Sequence, residues 1–142
     1  MRFLMMVKAN KDSEAGVMPT DTLIAEMGRY NEELAKAGVL LDLSGLQPSS
    51  KGARIRFSGG KRTVIDGPFT ETKELIAGYW LIQVRSREEA IEWAKRVPFE
   101  DGEVEIRQVS EASDFPPEIL PPEEAERERA MLEELQRKAA KP

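Results

Sequence analysis

An aspartate where a predicted strand ends and a Gly-Pro turn begins is the first residue whose type and position could support chemistry. Asp66 stands directly before Gly67 and Pro68. At the mouth of an apolar cavity, its carboxyl group would have a raised pKa and could transfer protons near neutral pH. In a structural role, its oxygens would instead accept backbone amide hydrogen bonds in the turn, as Asp commonly does beside Gly. Both interpretations are open, and Asp66 is the predicted proton-transferring group if there is catalysis.

The candidates for binding a ligand are Arg107, Tyr79, Trp80, Lys73 and Glu74. Adjacent strand residues point to opposite faces, so one of Tyr79 and Trp80 should pack under helices while the other faces a second subunit. Arg107 could hold a carboxylate or phosphate through two parallel hydrogen bonds if it faces a cavity. Exposed beside Glu105, it would make a cross-strand pair of little energetic consequence. Lys73 and Glu74 are neighbours on a short helix, so only one of them would face a cavity.

Carboxylates near the same loop could offer oxygen ligands to Mg²⁺ or Ca²⁺. Glu71 and Glu74 lie three residues apart, and Asp66 precedes them. This spacing matches no known loop for these ions, so a solvated acidic surface is the better explanation. The sequence also has no glycine-rich phosphate-binding loop. We therefore predict neither a metal nor an organic cofactor.

Two absences from the composition limit the chemistry further. The chain has no cysteine, which excludes disulfides, thiol catalysis and thiolate metal sites. It has no histidine, which excludes Ser-His-Asp hydrolysis and a His-ligated zinc site. The net charge of -5 argues against a nucleic-acid partner, because such surfaces need clustered Lys and Arg.

The length of 142 residues fits one domain. The apolar run at the N-terminus is too short for a signal peptide and meets Lys8 at once. No stretch approaches the roughly 20 apolar residues needed to cross a bilayer. These observations predict a cytoplasmic protein without a membrane partner.

The apolar patterning predicts the element order β-α-β, hairpin, β-α-β. The predicted strands cover residues 2–8, 39–46, 78–84 and 104–109, the helices begin near 20 and 87, and the hairpin covers 54–65. Gly59-Gly60 fits a two-residue turn that places Ile55 opposite Val64. The order matches an α+β, ferredoxin-like split βαβ fold. One face of its sheet carries the helices, and the other is apolar enough to need a second copy, which predicts a homodimer.

The composition changes after Ser113. Pro116-Pro117 and Pro121-Pro122 act as rigid spacers, and an acidic-to-basic helix follows. Its charges predict three i,i+4 ion pairs, namely Glu123–Arg127, Glu133–Arg137 and Glu134–Lys138. We therefore predict one α+β domain over residues 1–112, and a Pro-rich linker with a charged C-terminal helix over residues 113–142.

The central motif resembles the signature of the DGPF, or YCII-related, family. It reads Asp66-Gly67-Pro68-Phe69, followed by Thr70-Glu71-Thr72-Lys73-Glu74 and then Gly78-Tyr79-Trp80. The opening strand with its methionines and the closing Val104-Glu105-Ile106-Arg107 are similar to that family's ends, so the resemblance covers roughly residues 1–112. It implies a dimeric α+β barrel, the fold of small monooxygenases and muconolactone isomerase-like proteins. Enzymes of that fold can work without an organic cofactor.

The same resemblance implies two different functions. Some relatives carry a His-Asp pair in the cavity, but this chain has no histidine, so only Asp66 matches. Other relatives occur beside or fused to extracytoplasmic-function sigma factors, which implies a sensing or regulatory role. The first hypothesis is therefore a small-molecule-binding protein or cofactor-independent enzyme with a pocket in the barrel. The alternative is a non-enzymatic sensing or interaction module, which should expose an apolar patch on the hairpin or tail.

Overall fold

The computed structural model describes residues 1–139, which divide into two compact units. The first unit is Met1–Val109, and the second begins at Ser110. The first contains strands β1 (Arg2–Lys8), β2 (Leu40–Gly45), β3 (Ala53–Ser58), β4 (Lys61–Asp66), β5 (Ile76–Gln83) and β6 (Val104–Gln108), and helices α1 (Lys11–Glu14), α2 (Asp21–Lys36) and α3 (Arg87–Lys95).

Four of the strands form an antiparallel sheet in the order β2-β5-β1-β6, and β3 and β4 pair with each other as a separate hairpin. With α2 and α3 as the two crossover helices, this is the ferredoxin-like arrangement. The prediction of an α+β fold with an inserted hairpin and a C-terminal helix is confirmed. The connection before α2 contains the short helix α1. The short helix predicted around Lys73 and Glu74 is the 3-10 turn Thr72–Glu74.

Both long helices of the first unit have local signals that fix their ends. The Thr20 side chain accepts a hydrogen bond from the Leu23 amide at 3.1 Å, which caps the start of α2. The chain leaves α2 through Gly38, which has a φ of 74°. Helix α3 is capped in the same way by Ser86, whose side chain accepts from the Glu89 amide at 3.1 Å.

The core lies between one face of the sheet and helices α2 and α3. Met5 pairs with Trp80 and Phe3 with Ile82, so their side chains share that face, and all four are buried. Tyr30 of α2 meets the Trp80 ring edge to face at 5.4 Å. Trp93 of α3 completes the same cluster. Alternation along β1 and β5 therefore places every second residue under the helices.

The opposite, helix-free face of the sheet has an apolar centre and charged edges. Leu4 and Leu81 are directly paired in its middle, as are Met6 and Tyr79. Along the first of these rows, Asp42 of β2 stands at one edge and Arg107 of β6 at the other.

The β3–β4 hairpin forms as predicted, with Gly59 and Gly60 at φ values of 56° and 82° and Ile55 opposite Val64. Positive φ at both positions is what a type I′ turn requires. One of its faces carries exposed apolar side chains, with Ile55 at 49%, Val64 at 63% and Phe57 at 67% exposure.

The second unit contains helix α4 (Pro122–Ala139), which begins after the predicted proline spacers. The predicted Glu134–Lys138 ion pair is present at 3.7 Å. Arg127 instead pairs with Glu124, three residues before it. These exposed pairs contribute little to stability. None of the helices within residues 1–139 combines the length and hydropathy that crossing a bilayer demands.

Replacing Tyr30 by Phe tests the buried hydrogen bond that ties α2 to α3. The Tyr30 hydroxyl donates to the Trp93 carbonyl at 2.7 Å. The Trp93 carbonyl keeps the Arg96 amide as a second donor at 3.1 Å. We therefore expect Tyr30→Phe to lower the free energy of unfolding by about 0.5–1.5 kcal/mol, the net contribution of one hydrogen bond. Urea unfolding at neutral pH measures this difference.

The same variant has a pH signature. Burial raises the pKa of Tyr30 above its ordinary value. A raised pKa in the folded state gives stability that is full below the unfolded pKa of about 10 and is lost as pH rises further. Above that pH, the free energy of unfolding of wild type should therefore fall more steeply than that of Tyr30→Phe. Parallel curves of unfolding free energy against pH would contradict the prediction.

Candidate functional site

A cleft of about 1270 Å³ opens on the helix side of the sheet, beside α2. One wall is formed by α2 itself, and the facing wall by the end of β2 and the segment after it. Residues of the connection between β1 and α2 line the cleft from Asn10 to Thr20, and the start of β5 and Phe99 complete it. The volume exceeds the roughly 300–1,000 Å³ of common small-molecule sites.

The walls of the cleft are mainly apolar. Leu23 and Met27 line it from α2, one helical turn apart, and Leu43 and Leu46 line it from β2 and the segment after it. Leu43 and Leu46 keep 39% and 46% of their surfaces exposed, so there is room to bury more apolar area. A ligand with an apolar body would gain by covering these side chains.

An asparagine supplies the polar group next to Trp80. The Trp80 indole Nε1 donates to Oδ1 of Asn31 at 2.8 Å, which fixes the orientation of the Asn31 amide. Both residues line the cleft. The Asn31 Nδ2 group keeps two N–H donors, and no residue among 1–139 accepts from them in a described hydrogen bond. The cleft therefore presents a fixed, neutral hydrogen-bond donor.

At the rim, Glu14 joins the β1–α2 connection to the wall after β2. The Ser49 backbone amide donates to Glu14 Oε2 at 2.9 Å, and the Ser49 hydroxyl donates to Glu14 Oε1. The hydrogen bonds from the Ser49 side chain and backbone lower the pKa of Glu14, so this carboxylate is charged at neutral pH. Such a weak base is better suited to holding a hydrogen bond than to taking a proton from a ligand.

The Asp-Gly-Pro-Phe segment supports this wall from behind. Ser49 Oγ also accepts the Phe69 amide at 3.0 Å, and the Gly67 amide donates to the Gly52 carbonyl at 3.0 Å. A Cβ atom on Gly67 would lie 1.7 Å from the Ser49 carbonyl oxygen, so only glycine fits there. The Arg54 guanidinium lies 3.8 Å from the centre of the Phe69 ring. The motif thus holds the segment that forms the cleft wall.

The predicted site residues fall into two groups. Tyr79 and Trp80 both belong to the stretch of β5 that borders the cleft, but only the Trp80 side chain lies on the helix side of the sheet. They point to opposite faces as expected: Trp80 is buried under the helices, and the Tyr79 hydroxyl donates to Asp42 Oδ2 at 3.1 Å. Asp66 is exposed at the end of β4 and does not line the cleft.

The remaining predicted ligand-binding residues also lie outside the cleft. Lys73 and Glu74 are exposed on the 3-10 turn before β5. Arg107 is exposed at the edge of the helix-free face, in the row of Leu4. No three Asp or Glu side chains of residues 1–139 gather into a group that could hold a metal ion, so Asp66, Glu71 and Glu74 do not form one.

The sequence predictions omitted Asn31 and Glu14, which line the cleft, and Ser49, which does not line it but holds Glu14. Asn31 had a usable signal, because it is the polar residue within the apolar face of α2. Glu14 and Ser49 had none, since their contact joins residues 35 positions apart, one in α1 and the other in the segment after β2.

Comparisons with known proteins match most of the chain. The model of the YCII-related domain family matches residues 1–113. An uncharacterized protein from Rhizobium meliloti (strain 1021) is 33% identical over 75 residues, which are 53% of this chain and 60% of that protein. The chain thus spans less than two thirds of that relative.

A solved structure is similar at a lower level. It is 5-chloro-2-hydroxyhydroquinone dehydrochlorinase from Burkholderia phenoliruptrix AC1100 in complex with 2,5-dihydroxybenzoquinone. The TM-score is 0.42 and the sequence identity is 15%. The match covers 82% of this chain and 100% of the other chain. A similarity of this size assigns neither a ligand nor a reaction.

Replacing Gly67 by Ala tests the support of the cleft wall. The added methyl group would overlap the Ser49 carbonyl, so we expect Gly67→Ala to lower the free energy of unfolding by about 2–3 kcal/mol. Gly28→Ala is the matched control, because nothing lies within 4 Å of a Cβ atom there and α2 gains a better helix former. Chemical denaturation should show a lower free energy of unfolding for Gly67→Ala and a higher one for Gly28→Ala, each relative to wild type. Equal stability of Gly67→Ala and wild type would show that the close approach is not required.

Proposed function

The chain belongs to the YCII-related domain family through residues 1–113. We propose that it binds a small organic molecule in the cleft beside α2. The observation that carries this proposal is the fixed Asn31 amide, which offers N–H donors to a mainly apolar cleft. Apolar walls with a few oriented polar groups are the usual composition of a small-molecule site.

The charges of the cleft favour a neutral ligand over an acid. Among the described residues that line it, the charged ones are Asp12, Glu14 and Lys51, so acidic groups outnumber basic ones. A carboxylate beside Asn31 would lose water without gaining a cationic partner, which is costly. A carbonyl oxygen can accept from the Asn31 amide without that cost. We therefore propose a mainly apolar, neutral molecule that carries an acceptor oxygen.

Binding is better supported than catalysis. The hydrogen bonds from Ser49 lower the pKa of Glu14, which lines the cleft, and a lowered pKa does not suit proton transfer near neutral pH. The proton-transfer role predicted for Asp66 remains the catalytic version of this proposal. Its carboxylate is exposed at the end of β4, so that version needs a ligand or a second subunit to reach it.

An Asn31→Asp substitution separates the donor from the acceptor of this side chain. Aspartate still accepts from Trp80 Nε1 but removes the N–H groups. We expect Asn31→Asp to lower the affinity for 2-acetylnaphthalene, a neutral ketone, at least about fivefold, because one hydrogen bond is lost. Isothermal titration calorimetry measures this affinity. Wild type should bind 2-naphthoate, the matched carboxylate, more weakly than the ketone.

The control for the added charge is Gln108→Glu, an exposed position on β6 outside the cleft. It should leave both affinities unchanged. Asp66→Asn should do the same if the cleft alone binds, whereas loss of binding in Asp66→Asn would support the role predicted for its carboxylate. If no neutral aromatic ketone of a screening set stabilises wild type against thermal unfolding, the binding proposal is wrong.

We further propose that two copies pair through the helix-free face of the sheet. Its centre is apolar, with Leu4, Met6 and Leu81 partly exposed. Asp42 and Arg107 stand at opposite ends of one row. A two-fold axis parallel to the strands places the Asp42 edge of each copy over the Arg107 edge of the other. This charge complementarity favours a second copy as the occupant.

Charge reversal tests the pairing. Asp42→Arg and Arg107→Asp should each weaken self-association, because each creates like-charge contacts at both edges. An equimolar mixture of the two variants should form a heterodimer, since every edge contact then joins opposite charges. Light scattering after size-exclusion chromatography measures the masses. A monomeric wild type, or single variants that remain dimers, would contradict this arrangement.

A second candidate function rests on the hairpin. Ile55, Phe57 and Val64 form an exposed apolar face, the feature expected of an interaction module. Phe57→Ser removes the largest apolar side chain of that face, and Phe57 lies outside both the four-stranded sheet and the cleft. The variant should therefore leave both the ketone affinity and the dimer mass unchanged. If the dimer dissociates instead, the hairpin is the association surface. A sigma-factor connection is implied by the family resemblance alone.

A further inference from the structure

We infer that residues 10–19 form a lid over the cleft, closed by the contact of Glu14 with Ser49. This inference rests on the proposed function, because it concerns access to the same cleft. The segment crosses from the end of β1 to the start of α2. Every residue of it except Lys11 lines the cleft.

The lid has few attachments to the rest of the first unit. It contains no buried residue, and its one helix, α1, has four residues. Its own hydrogen bonds are internal, such as the Asn10 side chain accepting from the Ser13 amide at 2.8 Å. Within the described residues, Glu14 is the only residue of the lid that makes hydrogen bonds to another part of the chain. Segments with few buried contacts open at low free-energy cost.

One contact therefore controls the position of the lid. The lowered pKa of Glu14 is consistent with a charged carboxylate that Ser49 holds through two donors. Charge-assisted hydrogen bonds of this kind are stronger than neutral ones. The Asp-Gly-Pro-Phe segment in turn holds Ser49 through the Phe69 amide, so the receiving side of the contact is rigid.

The apolar residues of the lid lie at its far end, next to α2. Val17 is 57% and Met18 82% exposed, although both line the cleft. Large apolar side chains are rarely left so exposed at a concave surface without a partner. A ligand with an apolar body would bury them, so ligand binding and lid closure stabilise each other. Gly16, with a φ of 76°, permits the bend that precedes them.

The absence of cysteine from the chain allows a direct test of access. Met27→Cys places a single thiol on the α2 wall of the cleft, and Gln108→Cys places one on the exposed edge of β6. The reaction rate with N-ethylmaleimide, followed by mass spectrometry, reports how often each thiol is accessible. Adding Glu14→Ala should accelerate labelling of the Met27→Cys variant about tenfold and leave the Gln108→Cys variant unchanged.

Glu14→Gln provides the second variant, because it keeps the side-chain shape but removes the charge, and an intermediate acceleration is expected. Unchanged labelling of the Met27→Cys variant in both Glu14 backgrounds, with unchanged thermal stability, would overturn the lid. The labelling test needs no ligand, so its failure is distinct from failure of the binding proposal. In the wild-type background, 2-acetylnaphthalene should slow labelling of the Met27→Cys variant, and lack of protection would count against binding alone.

Discussion

The close approach of the Gly67 backbone to Ser49 is the constraint on which the cleft depends. Because Gly67 has no Cβ, the chain after β4 can lie against the Ser49 carbonyl. In that position the Phe69 amide reaches Ser49 Oγ, and the hydroxyl hydrogen is left for Glu14. The Ser49 side chain thus accepts a hydrogen bond from the Asp-Gly-Pro-Phe segment and donates one to Glu14 at the rim of the cleft. A wall made of irregular backbone needs such fixed partners, since no sheet or helix ladder orders it.

Strand alternation gives the two faces of the sheet separate roles. The side chains of Met5, Trp80 and Ile82 form the core, and Trp80 also orients Asn31 at the edge of that core. The intervening residues, such as Leu4 and Leu81, form the surface proposed to meet a second copy. Because the side-chain period of a strand is two residues, a change on one face leaves the other face intact. The proposed ligand binding and the proposed self-association can therefore be tested independently.

The elements that sequence patterns predicted are those whose signals are local. The run at Arg2–Lys8 and the Gly59-Gly60 turn lie within a few residues of the structure that they specify. The site was less predictable, because the motif drew attention to the Asp66 side chain. What the structure uses there is the close approach of Gly67 to Ser49 and the backbone amide of Phe69, and neither contact can be recognised without the tertiary fold. Glu14 could not be linked to Ser49 without the tertiary fold.

A histidine-free cleft has a physical consequence for what it can recognise. Without a side chain that titrates near neutral pH by default, charge inside the cleft depends on fixed ions such as Glu14. Two Ser49 donors hold that carboxylate, and the Trp80 indole holds the Asn31 amide. The cleft then offers apolar surface and, beside Trp80, the oriented neutral donor of Asn31. Under the proposed function, a ligand that lacks an acceptor oxygen would leave this amide without a partner and bind less well.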